Sequence, residues 1–197
     1  MSIRKAIVAV AVTVFAVGLS VGLSQTAMAD PVVPATTWNE IFIPFDNAAG
    51  NHLCVDVPHG STSPGLALQF YSCHGYSSGG TNQRWHFQTF SRNGQLAAII
   101  TNTASGLCID GQFSLANVRV VQQTCTAETP SWLIVPQNDN GTDPLVQLEL
   151  LDANGFASGL CMAAGNMGDH NSTPIVATTC QPLQPTPGDL SQALELA

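Results

Sequence analysis

One short phrase, written three times, limits what this chain can become. The copies are Asn51-His52-Leu53-Cys54-Val55-Asp56, Ser105-Gly106-Leu107-Cys108-Ile109-Asp110 and Ser158-Gly159-Leu160-Cys161-Met162-Ala163. A second cysteine follows each, at Cys73, Cys125 and Cys180, after 19, 17 and 19 positions. The leading cysteines recur about every 53 residues, which is the signature of a repeated supersecondary unit. Such a unit cannot bury its own apolar face, so the copies must pack against one another around one shared core.

Residues 1–29 read as a cleaved secretion signal and are set aside from the fold. Arg4 and Lys5 precede an apolar run from Ala6 to about Leu23, and Ala27-Met28-Ala29 places small residues three and one before a cut ahead of Asp30. The run is near the roughly 18 residues that can span a bilayer, so a retained anchor is the alternative. Gly18, Ser20, Gly22 and Ser24 within it favour release. No later segment is apolar enough to span. Residues 30–36, with Pro31 and Pro34, form an extended lead-in, and residues 37–197 have the length of one domain.

Charge and cysteine content narrow the partners. The full chain has a net charge of −8, and beyond the leader only Arg84, Arg92 and Arg119 stand against all 13 acidic residues. A chain so poor in cations has little with which to neutralise phosphates, which argues against nucleic acid and anionic membrane as partners. Charged residues are only 9% of the total. Solubility therefore rests on Ser, Thr, Asn, Gln and Gly, a composition common in exported proteins that meet neutral polar ligands.

Six cysteines behind an export signal imply an oxidising, extracellular destination and three disulfides. The count alone allows many pairings. If each copy folds alike, the pairs are Cys54–Cys73, Cys108–Cys125 and Cys161–Cys180, each stabilising by roughly 3 kcal/mol in the chain-entropy estimate. No Cys-x-x-Cys or His-x-x-x-His spacing suggests zinc, and no cofactor is expected.

Short strand-like runs follow one another between Gly, Pro, Asn, Asp and Ser, with no amphipathic helix. Each repeat divides into four runs. In the first they are about Trp38–Phe45, Leu53–Val57, Leu66–Ser72 and Arg84–Thr89; in the second, Leu96–Thr101, Leu107–Ile109, Arg119–Thr124 and Trp132–Val135. The third gives Leu145–Leu151, Leu160–Ala163, Ile175–Thr179 and Ala193–Leu196. The repeats run over about 37–90, 91–137 and 138–197. Three sets of four short strands suit a closed barrel capped by hairpins, which leaves few strand edges exposed. This predicts an all-β fold, the β-trefoil.

The last run of each set aligns Gln83-Arg84-Trp85 with Pro130-Ser131-Trp132 and Gln192-Ala193-Leu194. Alternation puts Trp85, Trp132 and Leu194 on one face, where they can meet in the core. A glutamine two before the tryptophan is suited to bonding neighbouring backbone.

These residues resemble the ricin-type, or Gln-x-Trp, β-trefoil lectin family. The resemblance rests on Leu53-Cys54-Val55-Asp56-Val57, Leu68-Gln69-Phe70-Tyr71-Ser72-Cys73 and Asn82-Gln83-Arg84-Trp85, and it covers nearly the whole chain after the leader. It implies carbohydrate as the partner. In sugar-binding members, the acidic residue two after the first cysteine accepts from hydroxyls, often of galactose, and an aromatic two before the second cysteine forms a platform. By position these are Asp56 and Tyr71, with Gln69 beside them, Asn82 reaching a hydroxyl and Gln83 supporting it.

The chemistry is coherent. A pyranose offers one relatively apolar C–H face and a rim of hydroxyls, and a site for it needs a flat apolar surface with convergent donors and acceptors. A carboxylate such as Asp56 can take two adjacent hydroxyls in charge-assisted bonds. Taken singly, Asp56 can also cap a turn, Tyr71 can be an ordinary strand aromatic and Asn82 can brace a loop.

The other copies carry less of this set. The second keeps Asp110 but has Val121, Gln123 and Thr129-Pro130 in the remaining places. The third has Ala163, Val176, Thr178 and Leu194 and reads as a structural copy. Nothing points to catalysis: there is no Gly-x-Ser-x-Gly, Asp169-His170 beside Ser172 puts no groups in triad geometry, and Glu149 and Asp152 fall on opposite strand faces. Asn140-Gly141-Thr142 and Asn171-Ser172-Thr173 fit the glycosylation sequon. The expectation is a secreted, non-catalytic lectin. A module for wall polysaccharides such as xylan or arabinan, and a non-lectin inhibitor or toxin-associated subunit, remain the alternatives. The sugar and the oligomeric state are not written in the sequence.

Overall fold

The computed structural model describes residues 39–44, 46, 49–74, 80–111, 116–137, 145–165, 170–181 and 191–197. The leader, the lead-in, Trp38, Asn140-Gly141-Thr142 and Asp169 lie outside them. The first repeat gives β1 (Ile41–Ile43), β2 (Leu53–Asp56), β3 (Leu66–Ala67), β4 (Gln69–Ser72) and β5 (Trp85–Arg92). The second gives β6 (Gln95–Asn102), β7 (Cys108–Asp110), β8 (Val118–Arg119), β9 (Val121–Gln123) and β10 (Trp132–Pro136). The third gives β11 (Leu145–Leu151), β12 (Ala157–Ala164), β13 (Thr173–Thr179) and β14 (Leu194–Leu196). Among the described residues there is no α-helix, and short 3-10 turns lie at Pro58–Gly60 and Thr81–Gln83.

Alternating apolar positions and frequent turn residues make these segments strands, and antiparallel pairing joins them into a closed surface. β1 pairs with β14, β14 with β11, β11 with β10, β10 with β6 and β6 with β5. The Trp85 N–H then reaches the Asn39 carbonyl at 2.8 Å, closing a six-stranded barrel. The pairs β2–β4, β7–β9 and β12–β13 form the three cap hairpins. This is the trefoil the repeat predicts.

Four expected strands per repeat become five in the first two copies. The third run breaks at Leu68 and at Val120, and the reason is a hydrogen-bond ring between repeats. Leu68 N–H donates to the Val120 carbonyl at 2.9 Å, Val120 N–H to Ile175 at 2.9 Å, and Ile175 N–H back to Leu68 at 3.3 Å. All three residues stand five before the second cysteine of their copy and are buried. On either side of the ring each copy pairs with a neighbour: β3 with β9, β8 with β13, and β13 with β4.

The three disulfides form as the repeat implies, Cys54–Cys73, Cys108–Cys125 and Cys161–Cys180. Inside the barrel Trp85, Trp132 and Leu194 join one cluster with Phe70, Ile100, Leu148 and Leu196. Both indoles use their N–H: Trp85 donates to the Val55 carbonyl at 3.0 Å and Trp132 to Ile109 at 3.3 Å. These two bonds are equivalent, since each carbonyl follows the first cysteine of its repeat. They tie the fourth strand to the second, and leucine at 194 keeps only the packing.

Removing that packing has a calculable cost. Trp132→Ala is expected to lower the unfolding free energy by about 3–5 kcal/mol, as large-to-small changes of buried aromatics do. Urea denaturation followed by far-ultraviolet circular dichroism measures it, and a loss below about 1 kcal/mol would contradict the core described here.

Candidate functional site

Strand register lines up the corresponding positions of the three copies. Asp56 lies opposite Gln69 across β2–β4, Asp110 opposite Val121 across β7–β9, and Ala163 opposite Val176 across β12–β13. Two pairs earlier, on the same face, Cys54 faces Tyr71, Cys108 faces Gln123 and Cys161 faces Thr178. Polar groups therefore gather on the first hairpin, while the second keeps only the carboxylate and Gln123, and the third only Thr178.

In the first repeat the expected residues come together. Asp56 sits at the base, 2% exposed. Its Oδ1 accepts from Gln69 Nε2 at 2.8 Å, and its Oδ2 accepts from Asn82 Nδ2 at 2.6 Å and from Gln83 Nε2 at 3.1 Å. These are charge-assisted bonds, and they supply what a buried carboxylate requires. They also revise the expectation that Asp56 takes two sugar hydroxyls at once. With three amide donors on roughly four lone-pair sites, about one place is left for a ligand. Asp56 is first the anchor that orients the amides around it.

Two of the three amides are fixed a second time. Asn82 Nδ2 also donates to the Val57 carbonyl at 3.1 Å, which commits both its hydrogens and leaves Oδ1 without a partner among the described residues. Gln83 Nε2 also donates to the Ser72 carbonyl at 3.1 Å, and its Oε1 accepts the His74 N–H at 2.8 Å. Gln192 makes the same two backbone bonds in the third repeat, to Thr179 and from Gln181, both at 2.8 Å. So this glutamine is a structural clamp in both copies that have it. In the first copy it bonds the carboxylate as well.

The 3-10 turn that carries Asn82 is held from behind by Asn102, buried at the end of β6. Asn102 Nδ2 donates to the carbonyls of Asn82 and Arg84, each at 3.1 Å, and its Oδ1 accepts from the N–H groups of Ala104 and Ser105. Arg84, next to this turn, meets Glu40 at 2.6 Å.

Over this base opens a cleft of about 560 Å³, lined by Asp56, Gln69, Tyr71 and Asn82, together with His59, Gly60, His74 and Ser172. Half-buried Tyr71 is one wall, and the His74 ring lies tilted beside it with centroids 5.9 Å apart. The opposite wall is the Pro58–Gly60 turn, where His59 takes φ 56° and Gly60 φ 61°. Ser172 comes from the third repeat; its N–H donates to the Phe70 carbonyl at 2.9 Å, and neighbouring Asn171 accepts from Ser72 N–H and Oγ, both at 2.8 Å.

His59, Gly60, His74 and Ser172 were not identified from sequence. His74, directly after Cys73, and the Pro-His-Gly turn just beyond Val57 are the available signals, and neither distinguishes a site from a surface loop. Ser172 carries no local signal, because its position depends on packing between repeats. Among the described residues no group of three His, Cys, Asp or Glu side chains could hold a metal ion.

Residues 45–124 match the model of a family described as ricin-type β-trefoil lectin domain-like. The match spans the greater part of the first two repeats and both cysteine pairs within them. No curated protein matches the chain. Among solved structures, the chain is similar to ThreeFoil, a designed three-fold symmetric protein, with TM-score 0.57 and 19% identity over 81% of this chain and 96% of that one. It is also similar to the ricin B-like lectin of Macrolepiota procera, solved in complex with lactose, with TM-score 0.54 and 16% identity over 83% and 96%. A third likeness is to the Haemophilus ducreyi cytolethal distending toxin, with TM-score 0.54 and 12% identity over 84% and 87%. At these identities the three likenesses establish the trefoil.

Because the Asp56 carboxylate satisfies three amide donors, its removal destabilises the fold around it. Asp56→Ala is expected to cost about 2–3 kcal/mol of stability before any ligand is added, by the weight of hydrogen bonds to charged groups. Asn102→Ala is expected to cost about 1–3 kcal/mol, because buried carbonyls lose their donor. Urea titrations of both variants beside wild type measure these losses.

Proposed function

We propose that this chain is an exported, non-catalytic carbohydrate-binding protein whose one complete site lies in the first repeat. It takes a neutral, galactose-type sugar against Tyr71, with Asp56, Gln69 and Asn82 meeting the hydroxyls and Gln83 holding Asp56 and the chain around it. The observation that carries the reading is convergence: residues 26 positions apart in sequence, Asp56 and Asn82, share a hydrogen bond at the base of a cleft that a tyrosine ring overlooks.

The chemistry of the lining agrees. Asn82 Oδ1 and Gln69 Oε1 have no partners among the described residues and can accept, the second hydrogen of Gln69 Nε2 can donate, and Tyr71 offers an apolar face with a hydroxyl at its tip. A net charge of −8 disfavours anionic ligands. Three disulfides fit an oxidising destination, and export through residues 1–29 is part of the proposal. The lactose complex of the Macrolepiota procera lectin and the N-acetylgalactosamine complex of the earthworm R-type lectin C-half make galactose-type sugars the first to test.

A glycan array probed with residues 30–197 tests this, with Tyr71→Ala in parallel because that change leaves the Asp56 bonds intact. Wild type is expected to retain galactosides at millimolar strength, about −4 kcal/mol per site, and Tyr71→Ala to lose at least about tenfold. Retention of xylan or arabinan alone would move the reading to wall polymers. Equal binding by Tyr71→Ala would remove Tyr71 from the site.

A further inference from the structure

A second cleft, of about 550 Å³, opens where the tip of the β5–β6 hairpin meets the loop before β10 and the turn after β11. It shares no residue with the cleft of Tyr71. It includes Thr129-Pro130, which stand where Asn82-Gln83 stand in the first repeat, but none of Asp110, Val121 and Gln123, so it is not a second copy of the first site. Phe90, half-buried, packs on Ala97, Leu133 and Leu151 and also lines the cleft. Pro130 extends the apolar wall.

Polar groups are arranged around that wall. Arg92 Nη2 donates to the Asn154 carbonyl at 2.8 Å and Nε to Gly155 at 3.4 Å. The guanidinium lies against Gly155, in the space a side chain there would occupy, and Gly155 has φ 77°. Only glycine permits both the turn and this contact. Asp152 Oδ1 is used by the turn, accepting from Asn154 and Phe156 N–H at 2.8 and 2.9 Å, while Oδ2 has no partner among the described residues. Thr129 Oγ1 accepts from Thr126 N–H at 2.6 Å, so its own hydrogen remains to donate. Arg92 makes no ion pair among the described residues, although Glu128 and Asp152 line the same cleft.

We infer that this cleft is a second, non-equivalent saccharide site, so that one chain binds two sugars through differently built pockets. An aromatic wall beside a fixed guanidinium donor, carboxylate acceptors and hydroxyls is the set a neutral polyhydroxylated ring requires. Glu128 and Asp152 repel an anion that Arg92 alone would attract. The choice of saccharide rests on the carbohydrate reading above; the cleft itself does not. Two sites on one rigid domain can bridge neighbouring glycans, and linked binding then exceeds either site by orders of magnitude.

Amide chemical shifts of isotope-labelled residues 30–197, titrated with lactose and separately with xylobiose, decide the matter. With at least one probe, amides of 128–131 and 151–155 are expected to move together with those of 69–74. In Tyr71→Ala the movement at 128–131 and 151–155 is expected to persist. Arg92→Ala and Glu128→Gln, both exposed side chains, are expected to weaken it at least about fivefold while leaving 69–74 responsive. The spectra themselves report whether each variant is folded. Movement confined to 69–74, or a response at 151–155 indifferent to both variants, overturns the second site and leaves the first standing. Movement only at 128–131 and 151–155 does the reverse, and silence everywhere with both probes overturns both.

Discussion

Three backbone hydrogen bonds, passed in a circle from Leu68 to Val120 to Ile175 and back, hold this architecture in register. Each residue gives its N–H to one neighbouring repeat and its carbonyl to the other, so no copy can satisfy its own chain alone. The alternative, three buried N–H groups without partners, is costly enough that native interiors almost never allow it. The circle therefore fixes how the three hairpins approach, and with them the distance between Tyr71 on the first repeat and Ser172 on the third. A cleft drawn from two repeats depends on that closure.

Threefold symmetry in the frame makes the asymmetry of the side chains informative. Position for position, the first repeat has Asp56, Gln69, Tyr71 and Asn82 where the third has Ala163, Val176, Thr178 and Ser191. The frame tolerates the exchange because these positions lie outside the barrel cluster. The glutamine clamp survives in two copies, with Pro130 in its place in the second: Gln83 and Gln192 make the same backbone bonds although only Gln83 has a carboxylate nearby. Where Asp56 is replaced by Ala163, Gln192 instead receives a bond from Gln147 at 3.2 Å. The glutamine thus belongs to the fold first, and the site has been built on it.

Much of this was legible in the chain. The spacing of Cys54, Cys108 and Cys161 announced the repeat, their partners announced the disulfides, and Trp85 and Trp132 announced the core, because a twofold alternation assigns side chains to faces without knowledge of the fold. The convergence of Asp56, Gln69, Asn82 and Gln83 followed from a resemblance in their spacing and is present in the structure. What stayed hidden was set by contact between distant segments. The breaks at Leu68 and Val120 arise from partners in other repeats, and strand propensity cannot register them. Asn102 looks like a turn residue until its amide is seen to hold the carbonyls of Asn82 and Arg84. Arg92 and Gly155 are more than sixty residues apart, and their contact creates a cleft that neither segment suggests. The saturation of Asp56 was also missed, because spacing identifies an acceptor without revealing how many donors already occupy it.

That saturation has a thermodynamic consequence. A pocket whose three amides are already held on one carboxylate, two of them tied to backbone as well, has little conformational entropy left to surrender, so the main cost of binding is the immobilisation of the arriving ring. Discrimination among closely related sugars then falls on how long each one stays, since encounter with a rigid opening varies little from ligand to ligand. A receptor of this kind samples a dense glycan surface by many brief, similar collisions and distinguishes its targets by their residence times.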